Sequence, residues 1–320
     1  MKKSCVAVAV AMLFPGLAMA QSYPNRPIRV ILAVPAGGTP DVMARTVTPG
    51  MSRALGQQLV VDNRAGAGGI IGAELAAKAQ PDGYTLLVSS AGPLTIIPHM
   101  QKNLAYDPTR DFAPIGLISS NPFLLITHPS VPAKTVKELV ALAKAQPGKL
   151  NYASAGNGAA NHLAMELFKS MAGINITHVP YKGAPQAVSD VLAGHMNMMF
   201  NSIPPVLSHI KAERIRALGV GAPKRAAQLP DVPTITEAGV PGYEAITWFG
   251  FLAPAKTPKS IVAQISDALV KGLNAPETRS LIETQGMDPG TGKPEEFAAL
   301  LRREYDRYAR VVKISGAKID

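Results

Sequence analysis

The 320-residue chain predicts an α/β fold built on parallel strands. Two observations carry that expectation. Short apolar runs alternate with stretches of about 10–15 residues patterned for helices. Several of these runs also stop at turns rich in Gly, Ser and Asn, where a helix then begins.

The first unit, IRVILAVPAGGTPDVMAR at 28–45, shows the plan most clearly. Ile28 and Val30 to Val34 form a buried strand that stops at Pro35-Ala36-Gly37-Gly38, and a helix restarts near Thr39 and Asp41. Such a turn is a ready anion site, because free backbone N–H groups and the positive end of a helix dipole meet there. The segment has neither GK[ST] nor G-x-G-x-x-G, so the anion it suits is smaller than a nucleotide, such as a carboxylate. The same pattern also describes an ordinary βα turn.

Further units follow in order. Leu59–Val61 is a strand leading through 63–69 into an Ala-rich helix ending at Ala79, and Tyr84–Ser89 is a third strand. Gly66–Gly72 lacks dinucleotide spacing and reads as close helix–strand packing. Phe123–Thr127 begins the next series. Thr135 and Glu138 form a capping box for a helix that Pro147-Gly148 ends. Asn151–Ser154 is a short strand, followed by Ala155-Gly156-Asn157-Gly158 and a helix carrying His162. Strands at 176–179, 196–200 and 247–253 flank a helix at 185–193. Thr257-Pro258 and Pro294-Glu295-Glu296 open the last two helices. No repeat or low-complexity tract is present, and no composition break marks a domain boundary.

Residues 1–20 read as a secretory signal: Lys2 and Lys3, an apolar Val6–Phe14, and Ala18-Met19-Ala20 before cleavage at Gln21. Cys5, the single cysteine, falls inside it, so the mature chain is expected to hold no disulfide, thiolate metal site or cysteine nucleophile. Without Lys2 and Lys3, 30 basic residues face 22 acidic ones, for a mature charge of +8. The excess is scattered among few aromatics, which argues against nucleic acid and fits a mild attraction for anions.

Enzyme signatures are missing. There is no G-x-S-x-G elbow and no H-E-x-x-H, and the six histidines never fall at metal-ligand spacing. No cofactor, metal or catalytic residue is expected; a hydrolase or lyase would need an acid–base pair such as His162 with Asp41, which no spacing supports. What remains is a set of small polar turns after strands, at Pro35–Asp41, Ser89–Gly92, Ser154–Asn161 and Asn201-Ser202. Ligands of open α/β sheets bind beyond the carboxyl ends of strands. Together these turns suit a small anion held reversibly by neutral donors.

Ordered motifs extend from Tyr23 to the C-terminus. They are YPNRPIRVI at 23–31, AGG at 36–38, VVDNRAGAGGIIGA at 60–73, PDGYTLL at 81–87 and YDPTRDFAPIGLI at 106–118. AQPGKLNYASAGNGAANHLA at 145–164, HVPYKGAPQAVSD at 178–190, ALGVGAPKRAAQLPDVPTITEAG at 217–239 and WFGFLAPAKTP at 248–258 complete them. In these the chain resembles the extracytoplasmic substrate-binding proteins of tripartite tricarboxylate transporters, the Bug receptors.

The resemblance implies a type II periplasmic-binding-protein fold: two α/β lobes joined by two crossing strands, closing on a ligand. Residues 21–122 with 248–320 would form one lobe and 123–247 the other. It implies a periplasmic monomer that passes a small carboxylate to transporter membrane subunits or to a sensor protein. The turns it points to carry Val34, Ala36, Gly37, Gly38, Thr39 and Asp41; Ser89, Ser90 and Ala91; and Ser154, Gly156, Asn157 and His162. Tyr181 and Asn201 complete the expected ligand set. His162 either donates to a carboxylate or packs at its helix start; Lys182 is either a ligand cation or a solvated loop residue. Trp248 and Phe249 are expected to support the hinge and core. The chain departs from the family pattern at Ala33-Val34, in place of Pro-Phe, and at Ser90-Ala91-Gly92-Pro93. Asn201 stands where an acid is common, which argues against an amino-acid ligand.

Overall fold

A computed structural model describes residues 23–317; the expected signal peptide and its cleavage point lie outside the described residues. The chain runs β1 (Ile28–Leu32), α1 (Thr39–Leu55), β2 (Leu59–Asn63), a 3-10 turn at Ala67–Gly69, α2 (Ile70–Ala77) and β3 (Thr85–Ser89). A π-turn at Gly92–Ile96 and α3 (Ile97–Met100) lead to β4 (Phe112–Thr127), α4 (Val136–Ala145), β5 (Asn151–Ser154) and α5 (Ala160–Ala172). Then come β6 (Thr177–Pro180), α6 (Ala184–Leu192), β7 (Met198–Ser202), α7 (Leu207–Lys211) and β8 (Arg216–Val220). The chain finishes with β9 (Ile246–Pro254), α8 (Lys259–Asn274), α9 (Pro276–Thr284), β10 (Asp288–Pro289) and α10 (Pro294–Ser315).

The main sheet path is β2-β1-β3-β9-β4-β7-β5-β6, with β8 and β10 also pairing β4. Its outer parts are parallel, as expected: β1 with β2 and β3, and β5 with β6 and β7. The middle is not. β9 runs antiparallel to β3 and to β4, which itself runs antiparallel to β7 and β8. The cause is connectivity: β4 leaves one part of the sheet for the other and β9 returns. β4 follows β9 from Phe112 to Pro122, then pairs with β7 and β8 from Phe123 onward.

Its first half, Phe112–Pro122, is missing from the sequence expectation, which begins at Phe123. Pro114, Gly116 and Pro122 interrupt its apolar pattern, and proline withholds a ladder donor. The strand absorbs them with register shifts at Pro114/Gly116 and Leu117/Ser119.

Local chemistry explains most other boundaries. In β1, Ile28, Val30, Ile31 and Leu32 are fully buried, as a strand covered on both faces requires. α1 lays Met43, Val47 and Met51 against Ile265 and Leu269 of α8, and ends at Gly56 in the left-handed region. The Thr135 hydroxyl accepts from the Glu138 N–H at 3.1 Å, while the Glu138 carboxylate accepts from Lys134, one residue before the cap. Thr257 is not the cap of α8: Pro258 holds that position and the Thr257 hydroxyl has no partner. Among the described residues, no helix is long and apolar enough to cross a membrane.

Candidate functional site

A cavity of about 430 Å³ lies where the two parts of the sheet meet. Four helices begin on its wall. Gly38, Thr39 and Pro40 open α1, Gly69 and Ile70 open α2, Ala159, Ala160 and Asn161 open α5, and Gly183, Ala184 and Pro185 open α6. None of the four has a side-chain cap. Apart from Pro40 and Pro185, which have no N–H, their first-turn N–H groups are free of side-chain acceptors, and four positive dipole ends converge. Lys182 is the one charged residue of the wall among the described residues, and it is exposed at the mouth.

One donor in the wall lacks an acceptor. Asn201 is 3% exposed, and its Nδ2 has no hydrogen-bond partner. Buried polar groups of folded proteins are nearly always paired, so this unpaired amide is an exception in the wall. Ala33, Val34, Ile70, Phe123 and Phe249 supply apolar surface to the same wall.

The two sides of the cavity touch. The Thr39 and Ser202 hydroxyls lie 2.6 Å apart. Pro35 packs over Gly183, where an added Cβ would sit 2.3 Å from its ring. Gly68 likewise meets the Asn157 carbonyl, at 2.6 Å from an added Cβ.

Eight expected ligand residues line the cavity: Val34, Gly38, Thr39, Ser90, Gly156, Asn157, Tyr181 and Asn201. Tyr181 offers only its ring, because its hydroxyl donates to Asp190. Burial and that carboxylate push the phenol up to about 12.

Seven others lie outside the wall. Ala36 and Gly37 are exposed at the tip of their turn. Asp41 is a brace: its carboxylate accepts from the Gly37 N–H, Arg45 and Asn63, each at 3.0 Å. Ser89 and Ala91 turn into the core on either side of Ser90. Ser154 is fully buried and its hydroxyl engages His178 at 2.6 Å.

His162 lies outside the wall, packed near its helix start. Its ring stacks 4.1 Å from that of His178, which stacks 4.7 Å from Tyr152, and its Nδ1 accepts from the Gly158 N–H at 3.1 Å. Burial, with Lys169 nearby, pushes His162 down to about 4; burial and then His162 push His178 down to about 3. Both rings are neutral at pH 7. The pairing of His162 with Asp41 that catalysis would need does not occur at the cavity, since neither residue lines it.

The sequence reading missed the Gly66–Gly69 wall. Gly72 does pack closely, its added Cβ falling 2.7 Å from the Ala33 backbone, but Gly66 to Gly69 line the cavity. Ser202, from the expected Asn201-Ser202 turn, lines the cavity; so do Thr247, which read only as strand, and Phe249, which was expected in the hinge and core. Trp248 faces away from the cavity, edge-on to Phe297 in the core.

Comparison with known proteins identifies the family and the fold. Residues 43–317 match the family model described as the tripartite tricarboxylate transporter family receptor. The chain is 40% identical to a protein of the tcbD–tcbE intergenic region of Pseudomonas sp. (strain P51), over 91% of this chain and 87% of that one. It is 36% identical to BugT of Bordetella pertussis, over 94% and 92% of the two chains. Among solved structures, R. palustris Rpa4515 with adipate superposes with a TM-score of 0.89 at 34% identity, over 93% of this chain and all of that one. The chain thus has the fold of periplasmic binding proteins and belongs to the tripartite tricarboxylate transporter receptor family.

Proposed function

We propose that the chain is a periplasmic receptor that captures a small carboxylate in this cavity and delivers it to the membrane subunits of a tripartite tricarboxylate transporter. The observation that carries the proposal is the convergence of four uncapped helix N-termini on a wall with one cation and no acid. Each such terminus favours an anion by roughly 0.3–1 kcal/mol, and up to about 2 kcal/mol when partly buried. Neutral donors bind a carboxylate without consuming it, as a receptor requires.

The wall also chooses the body of the ligand. Ala33 and Val34, with Ile70, Phe123 and Phe249, favour a hydrocarbon portion, and among the described residues the wall has no carboxylate to pair an ammonium group. The preferred ligand is an acid with an apolar body and no amine; adipate, named for one structural neighbour, has that build. Residues 21–122 with 248–320 act as one lobe and 123–247 as the other, hinged on β4 and β9. The Thr39–Ser202 and Pro35–Gly183 contacts then belong to the closed form.

Thermal-shift screening of mono- and dicarboxylates of three to eight carbons tests the reading. A ligand that binds only the folded state at 100 times its Kd adds about 2.7 kcal/mol of stability. Saturable stabilisation by an apolar acid, with glutamate inactive, is the expected result. No stabilisation by any acid, combined with no acid released from the native protein on mass spectrometry, overturns it.

A further inference from the structure

The wall segment between β5 and α5 hangs on three side chains outside the cavity, Ser154 and His162 buried and His178 half-buried. Gly156 and Gly158 both take positive φ, at 130° and 74°, a conformation that favours glycine. The Gly156 N–H donates to the Ser154 hydroxyl at 3.1 Å, and the Gly158 N–H donates to His162 Nδ1 at 3.1 Å. The N–H groups of Asn157, Ala160 and Asn161 have no acceptor among the described residues, and all three residues line the cavity. Paired and unpaired donors thus divide along one short loop.

We propose that Ser154, His162 and His178 are positioning residues that set this division, holding two amides back so that three others face the ligand. The proposal rests on the reading of the cavity as a carboxylate site. Each partner is itself held. His178, on β6, lies against the Ser154 hydroxyl at 2.6 Å and stacks on His162 with the rings 7° from parallel. Tyr152 closes the stack, its hydroxyl donating to Glu166, which also pairs with Lys169 at 2.6 Å. The loop is therefore registered to β5, β6 and α5 at once. Because burial keeps both imidazoles neutral, His162 retains the lone pair that Gly158 needs.

Two substitutions at His162 separate positioning from packing. His162→Phe keeps a flat ring in the stack but offers no acceptor; His162→Asn gives up the ring but places an oxygen near the Nδ1 position. Amide hydrogen exchange of the ligand-free protein reads the anchor, and calorimetric titration with adipate, malate and benzoate reads its consequence. His162→Phe is expected to speed exchange at Gly158 at least tenfold and to weaken binding at least tenfold, with a near-native melting point. His162→Asn is expected to keep both within threefold of wild type. The proposal is overturned if the Phe variant exchanges and binds as wild type, or if the two variants are equally impaired. If wild type binds none of the three acids, the acid that stabilises it in the thermal-shift screen replaces them; if that screen and mass spectrometry also find none, the carboxylate reading fails, while the exchange data still decide the anchor.

Discussion

Acidification from pH 7.5 to 4 should destabilise this protein through two named histidines. His162 and His178 fall from the usual 6.5 to about 4 and about 3 in the folded state. Below pH 6.5 the unfolded chain therefore binds protons that the native state refuses, so stability falls as pH falls. Their contribution is complete above pH 6.5 and is lost progressively through pH 4 and then pH 3. Each pH unit in that window costs about 1.4 kcal/mol per histidine. At pH 4 the pair together removes on the order of 5 kcal/mol, a large part of a typical total of about 5–15 kcal/mol. The groups facing the rings are Tyr152, Ser154, Glu166 and Lys169; Glu166 opposes the shift of His178 and is outweighed by burial. Urea unfolding at half-unit steps of pH measures the loss. In the double variant His162→Asn, His178→Gln, neither position titrates, and the slope between pH 6.5 and 4 should fall to that of the remaining carboxylates. Equal slopes in the two proteins would refute the reasoning.

Three further outcomes test the cavity itself. Asn201→Leu removes a buried donor that has no protein partner, so the ligand-free protein should be no less stable, while carboxylate affinity falls by about 1–3 kcal/mol, roughly 5- to 150-fold; titration calorimetry beside urea unfolding checks both signs. Gly183→Val puts a side chain into the Pro35 ring and strains a backbone at φ 145°, so ligand-induced compaction in small-angle scattering should disappear and affinity fall at least tenfold, with some loss of stability in the ligand-free protein. Lys182→Ala should weaken binding severalfold at low salt and much less at 0.5 M salt, since an exposed charge is screened beyond about 4–5 Å there; a salt-independent loss would remove its electrostatic role.

Periodicity and turn chemistry determined a good deal from the sequence alone. β5 falls at Asn151–Ser154 as read, α4 starts at its Thr135 cap, and the Pro35–Asp41 turn joins a buried strand to a helix as the apolar run implies. These features are local: hydrophobic period, capping residues and glycine placement act within a few residues, so the linear pattern displays them. The same pattern located four turns that contribute to the cavity, because strand ends and helix starts are where open α/β sheets present donors. It did not determine which side of each turn a residue takes. Asp41 turned back to brace its own loop, His162 turned into a ring stack with a residue sixteen positions away, and Ser154 found His178, while Ser90, Asn157 and Asn201 came to the wall. The Gly66–Gly69 wall and the antiparallel run of β4 with β9 were decided in the same way. Each depends on partners distant in sequence, and a choice between two faces of a turn or two strand neighbours is made by those partners when the core packs.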